Sequence, residues 1–356
     1  MQVEASTRRA GIAAIHSVNR FVFSVPDIAE AERFYTEFGL DPRCDGNRID
    51  LYAHGHPHCW ATIHANGAPK QLQYMSFGIF EADVEGFRQR IASAGLGCAP
   101  HPLSDGSGLW LRDPDGLPNQ LVVTSKVSPS VKSPPISIPA ARDPAAAPMR
   151  SKVAKVRPRW LSHVLRFSPD VPRMIRFSED LLGVRLSDKS GDVVAFLHGA
   201  HGSDHHLIAF AKSDKPGLHH SSWDVGSLHD VGMGAEQMRM AGYKAGWGLG
   251  RHVLGSNYFY YTRDPWGSYA EYSFDIDFVA PDRPWQAGDY PPEDSFYLWG
   301  PDVPEDFVTN FEPAQAPAGT EQGVLRYSRY LLRRYSRYFA APHNSLRRAS
   351  RPQPDR

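Results

Sequence analysis

The chain carries no net charge of either sign, with Lys and Arg numbering 39 and Asp and Glu numbering 39. Such a balance gives no bulk attraction to nucleic acid or to an anionic membrane. Cysteine is scarce. Cys44, Cys59 and Cys98 are odd in number and stand in no closely paired spacing, which argues against a disulfide framework and a cysteine zinc site. Long apolar runs are missing as well. No segment reaches ~20 uninterrupted apolar residues, and the N-terminal charges are followed by no apolar leader core. The expectation is a cytoplasmic protein with no membrane and no nucleic-acid partner.

Hydrophobic residues make up 41% and aromatic residues 12% of the 356 positions, enough for a core in each of two ordinary domains. Residues 126–158 hold seven prolines among Ser, Ala and Lys, and read as a linker. The segments on either side carry the same order of signals. Each opens on a strand-like run, NRFVFSV at Asn19–Val25 and HVLRFS at His163–Ser168. An amphipathic helix follows. Ile28, Ala31, Phe34, Tyr35 and Phe38 share one face in the first copy, and Met174, Phe177, Leu181 and Leu182 share one in the second. Gly39 and Gly183 end these helices. Further strands begin at Tyr74 and His220, second helices end near Ala-Gly, and DPDGLPNQLVV and DPWGSYAEYSF close the copies through Asp-Pro-x-Gly turns.

The expected fold is α+β: two tandem modules, each of paired βαβββ units forming a curved mixed sheet. The first module spans 14–125, the linker 126–158, the second module 159–280 and a C-terminal extension 281–356. Aligned by sequence, Asn19 falls on His163, Tyr74 on His220 and Gln120 on Glu271. Three good metal ligands in the second copy thus face three poor ones in the first. Two imidazoles and one carboxylate, with positions left open, are the facial set of non-haem Fe(II) oxygenases. In LHHSSWDV the second histidine heads the strand, so His220 is the expected ligand and His219 the alternative. His54, His56 and His58 share a strand-like spacing, but Pro57 interrupts them and no carboxylate completes a site.

Across residues 14–280 the chain resembles the type I extradiol catechol dioxygenases of the vicinal oxygen chelate superfamily. The resemblance rests on LSHVLRF around His163, HHLIAF at His205–Phe210, LHHSSWDV around His220, and GRHVLGSNYFYYTRDPWGSYAEYSFD at Gly250–Asp275. It implies Fe(II), with Mn(II) second, on His163, His220 and Glu271. It also implies a catechol-type substrate and O2, and a homo-oligomer. His206 would stand over the O2 position and donate a proton, with Trp60 in its place in the first copy. His252 would bond a substrate oxygen, and Tyr261 would hold the deprotonated one; His101 matches His252 in the first copy. Glyoxalases, epimerases and 2-oxo-acid dioxygenases share the scaffold, as do non-catalytic binding modules. The set of His206, His252 and Tyr261 favours extradiol cleavage among them. From Val324 onward there are nine arginines, no lysine and one acid, a tail outside the resemblance.

Overall fold

The computed structural model describes residues 8–136 and 147–314; the arginine-rich tail and the middle of the linker lie outside them. The first module runs β1 (Ser17–Val25), α1 (Ile28–Phe38), β2 (Leu40–Asp45), β3 (Arg48–Ala53), β4 (Cys59–Ala65), β5 (Gln71–Ile79), α2 (Val84–Ala94), β6 (Leu109–Arg112) and β7 (Pro118–Val123). The second runs β8 (Trp160–Ser168), α3 (Val171–Phe177), β9 (Arg185–Ser190), β10 (Val194–His198), the short β11 (Ser203–Asp204), β12 (Ile208–Lys212), β13 (Gly217–Asp224), α4 (Leu228–Met240), β14 (Ala245–Arg251), β15 (Tyr258–Arg263) and β16 (Tyr269–Phe274). The first sheet has the order β2-β3-β4-β1-β5-β7-β6, and the second repeats it as β9-β10-β12-β8-β13-β16-β15, with β14 added at one edge and a two-residue strand, Gly288–Asp289, beside β9 at the other.

That strand completes the second βαβββ unit of its module, as β13-α4-β14-β15-β16. In the first module its place is taken by a single bridge between Gly97 and Leu111. Pro100 and Pro102 follow at once, and proline cannot extend a ladder.

The helices form as their patterns dictate. Asp27 caps α1 by accepting from the Ala29 N–H, and Ala31, Phe34, Tyr35 and Phe38 are buried. Gly39, at φ 95°, ends it in the left-handed conformation. A Cβ there would also meet the Val156 carbonyl at 2.0 Å, so the linker's return lies directly on this glycine. α3 widens into a π-helical turn over Ser178–Leu182 before Gly183 stops it at φ 74°.

The modules share one core. Phe38 of α1 stacks on Tyr272 of β16 with ring centroids 4.0 Å apart, and the Tyr272 hydroxyl donates to the Phe38 carbonyl. Each Asp-Pro-x-Gly turn is also held by a cation from the other module. Lys70 pairs with Asp264, and Arg166 pairs with Asp113 at 2.8 Å, all four side chains being at most 4% exposed. Asp264 uses its other oxygen to accept the Trp266 and Ser268 N–H groups of its turn. Breaking such a pair leaves an uncompensated buried charge. Lys70→Met is therefore expected to cost about 3–5 kcal/mol in urea unfolding, and a loss below ~1 kcal/mol would show that the pair is hydrated.

Candidate metal centre and aromatic pocket

β8, β13 and β16 lie side by side, and Ser222 of β13 pairs with His163 on one neighbour and with Glu271 on the other. His220 is two residues before Ser222, so alternation turns all three side chains to one face. The ligands sit inside their strands rather than at the strand starts that the sequence suggested.

His163 Nε2 lies 3.3 Å from Glu271 Oε2, His220 Nε2 lies 3.5 Å from the same oxygen, and the two nitrogens are 3.3 Å apart. Among the described residues this is the one cluster of three such ligands. All three are buried. A point roughly 2 Å from all three atoms exists, which is the usual reach of a nitrogen- or oxygen-bound metal. Glu271 Oε2 is buried and has no hydrogen-bond partner, although a buried carboxylate oxygen is costly to leave bare. The donor set therefore fits a divalent ion.

The hydrogen bonds behind the cluster fix the imidazoles for that task. The Phe307 carbonyl accepts from His219 Nε2 at 2.9 Å, so His219 Nδ1 is an acceptor. It lies 2.6 Å from His220 Nδ1, which must carry the proton and leave Nε2 bare. His219 thus backs His220 and is not itself in the cluster. His163 Nδ1 lies 3.3 Å from Ser162 Oγ, which donates to Asp204. Asn257 Nδ2 donates to Glu271 Oε1 at 3.2 Å. Outer partners of this kind set ligand orientation and basicity.

The His206 ring lies tilted against His163, with ring centroids 4.0 Å apart. Its Nδ1 lies 3.1 Å from His205 Nδ1, while His205 Nε2 donates to Asp188 at 2.8 Å. The same logic leaves His206 Nε2 without a proton. Burial pushes its pKa well below the ordinary value, the neighbouring imidazoles adding to the effect. His252 donates from Nδ1 to the Phe296 carbonyl at 2.8 Å and accepts the Tyr261 hydroxyl at Nε2 at 3.0 Å. Burial and then the Glu271 charge raise Tyr261 well above 10, so it is a neutral donor. Tyr260 points away, toward α4 and Arg239.

The three metal candidates and His206, His252 and Tyr261 are therefore brought together. His54, His56 and His58 stay apart in the first module, where His58 bonds the Asn19 carbonyl. Strand register corrects the alignment of the copies. Ser76 pairs with Arg20 and Gln120 as Ser222 pairs with His163 and Glu271, so Arg20 and not Asn19 matches His163. The adjoining parallel pairs put Cys59, not Trp60, opposite His206.

From sequence, the aromatic stretch 281–313 is expected to pack over a module or across a subunit contact, but it is not assigned to the site. Phe196, Phe296, Phe307 and Val308 line the pocket beside Leu165 and Val194. Among the described residues no Lys or Arg lines it. The segment at 295–308 has no helical or strand period to announce it. Asn257 had a signal, since it directly precedes β15 and continues the alternation of Phe259 and Tyr261.

The family model of the Glyoxalase/Bleomycin resistance protein/Dioxygenase superfamily matches residues 160–272. Metapyrocatechase 2 of Cupriavidus necator is 50% identical over 300 residues, spanning 84% of this chain and 93% of that protein. Biphenyl-2,3-diol 1,2-dioxygenase of Metapseudomonas furukawaii is 28% identical, spanning 81% and 93%. Among solved structures, the Mn(II)-bound glyoxalase of Novosphingobium aromaticivorans aligns with TM-score 0.67 at 25% identity, over 86% of this chain and 97% of that one. An extradiol ring-cleaving dioxygenase from B. fuscum aligns with TM-score 0.68 at 21% identity, over 88% and 87%. With half its residues shared along nearly the whole of the Cupriavidus protein, on this doubled scaffold, the chain belongs to the extradiol dioxygenases of the vicinal oxygen chelate superfamily.

Proposed function

We propose that this protein cleaves a catechol-type aromatic ring outside its hydroxyls with O2, in aromatic-compound breakdown, at Fe(II) held by His163, His220 and Glu271. The observation that carries the reading is the bare Glu271 Oε2 beside two Nε2 lone pairs, facing a pocket without cations. Fe(II), when bound, supplies Lewis-acid polarisation of the diol and a route for electrons from ring to O2.

The chain's own groups do the rest. His252 Nε2 and the Tyr261 hydroxyl form one hydrogen-bonded unit at the pocket edge, suited to take a diol proton and hold the oxygen left behind. His206 Nε2 is the unprotonated base on the other side, suited to receive a proton and return it when the ring opens. The aromatic and aliphatic wall excludes water and accepts a neutral ring. Carboxylated catechols meet no counter-charge there.

Mn(II) is the second reading for the metal, since the ligand set fits both ions and a Mn(II)-bound glyoxalase shares the fold. The three thiols are unpaired, which supports a reducing, cytoplasmic setting. Among the described residues no helix is long and apolar enough to cross a membrane. Leu298 and Trp299 remain exposed on the C-terminal segment, which supports association of identical chains.

The test is anaerobic reconstitution with Fe(II) or Mn(II), then O2 and a panel of alkyl, aryl and carboxylated catechols. A yellow ring-fission product from the neutral members is expected. No product from any catechol, with one iron bound per chain, would remove the reading.

A further inference from the structure

The first module keeps a cleft of about 310 Å³ where the second has its metal centre, lined by Arg20, Thr62, Tyr74, Asp105 and Gln120 among others. By register these include the counterparts of all three metal ligands: Arg20 for His163, Tyr74 for His220, Gln120 for Glu271. The cleft has exchanged a ligand set for a cation. Its charges are unequally satisfied. Arg48, on the same cleft, is held by the Asp50 carboxylate at 2.8 Å. Asp105 accepts from the Ser107 N–H and hydroxyl and from Gln120 Nε2.

Arg20 is different. It is half-buried and, among the described residues, has no carboxylate within 4.0 Å, Asp50 and Asp105 acting on its charge from farther off; it donates only from Nη1 to Thr62 Oγ1 at 3.3 Å. Its Nε is buried without a partner. A guanidinium offers five donors in a planar fork that matches a carboxylate, and four of these five have no acceptor among the described residues. Beside it, Tyr74 presents a ring packed 5.2 Å from both His101 and Trp110, and Leu103 and Val122 line the same cleft. The open guanidinium edge, in a mainly polar cleft with Tyr74, Leu103 and Val122 as its apolar part, fits a small organic anion.

We infer that the metal-free module is a second ligand site, taking a small planar organic carboxylate on Arg20 with its hydrocarbon part against Tyr74. The ring-opened products of extradiol cleavage belong to that chemical class, as do simple aromatic acids.

The test uses the iron-loaded full chain, sodium benzoate as probe and benzamide as its neutral isostere, read by titration calorimetry. One benzoate per chain is expected, with benzamide and the Arg20→Gln variant each binding at least about tenfold more weakly. Arg20→Gln should turn over catechol at the parental rate, because Arg20 lies in the other module. Gln120→Glu, which adds a negative charge to the cleft, should weaken benzoate similarly and decides the matter if Arg20→Gln fails to fold. Absence of benzoate binding to the parent at millimolar concentration, or unchanged affinity in the variants, overturns the inference. Because the readout is binding and not turnover, it stands or falls separately from ring cleavage.

Discussion

Glu271→Gln is expected to strip the protein of iron while leaving the metal-free fold intact or slightly firmer. Glu271 is fully buried, and its Oε2 has no partner other than the ion the site would hold. An amide is nearly isosteric with the carboxylate, but it offers a metal a far weaker ligand and costs less to bury without a counter-charge. Losing a mere outer-shell partner commonly lowers metal affinity by 10–100-fold, so loss of this ligand should exceed ~100-fold. Iron stoichiometry after gel filtration and thermal unfolding of the metal-free and iron-loaded forms check both halves. Iron should stabilise the parent and have no effect on the variant. A variant that retains one tightly bound iron per chain would move the carboxylate ligand elsewhere.

His206→Phe should divide binding from chemistry. The ring packs at a tilt against His163 but does not belong to the three-atom cluster, so iron content should match the parent. Phenylalanine keeps the planar volume and removes Nε2. Loss of a positioned acid/base group lowers turnover by about 10²–10⁴, and with the pocket wall unchanged the fall should appear in kcat more than in KM. Full turnover with full iron would exclude His206 from proton transfer. The supporting chain predicts a milder phenotype one step back: Asp188 holds His205, and His205 holds the proton of His206 in place.

The parts of the site that were legible in the sequence have a physical reason for being so. His163, His220 and Glu271 stand on strands whose repeat is preserved in a second copy, so their chemistry could be weighed against a copy without it. The one-residue slip from Asn19 to Arg20 arose in the helices, since both strands bulge at the same place, β1 at Asn19 and β8 at Ser162. The caps Asp27 and Asp170 keep the strand offset, but the π-helical turn at Ser178–Leu182 adds a residue before Gly183, so matching Gly39 to Gly183 shifts the strands by one. His219 was weighed as a ligand because it adjoins the candidate His220. Only the Phe307 carbonyl, 88 positions away, gives its Nε2 another occupation. The pocket wall at 295–308 was illegible for a similar cause, since it belongs to no regular element and owes its place to long-range contacts. Glu312 is typical of that segment, accepting the Leu72 N–H of one module and the Leu218 N–H of the other.

The exchanged ion pairs have a bearing on how such a chain can change over time. Asp264 closes the strand turn that leads to Glu271, yet its cation comes from the copy that lacks metal ligands; Arg166, three residues past His163, is neutralised by that same copy. After a duplication, a silent copy is ordinarily free to erode or be lost. Here each copy holds the other's buried counter-ion, so deletion of either strands a charge in the survivor. The first module could trade its metal ligands for Arg20, Tyr74 and Gln120, but not Lys70 or Asp113. Its pocket was free to diverge while its turn and strand edge were not, and a transplanted second module would need both charges redesigned before it could stand alone.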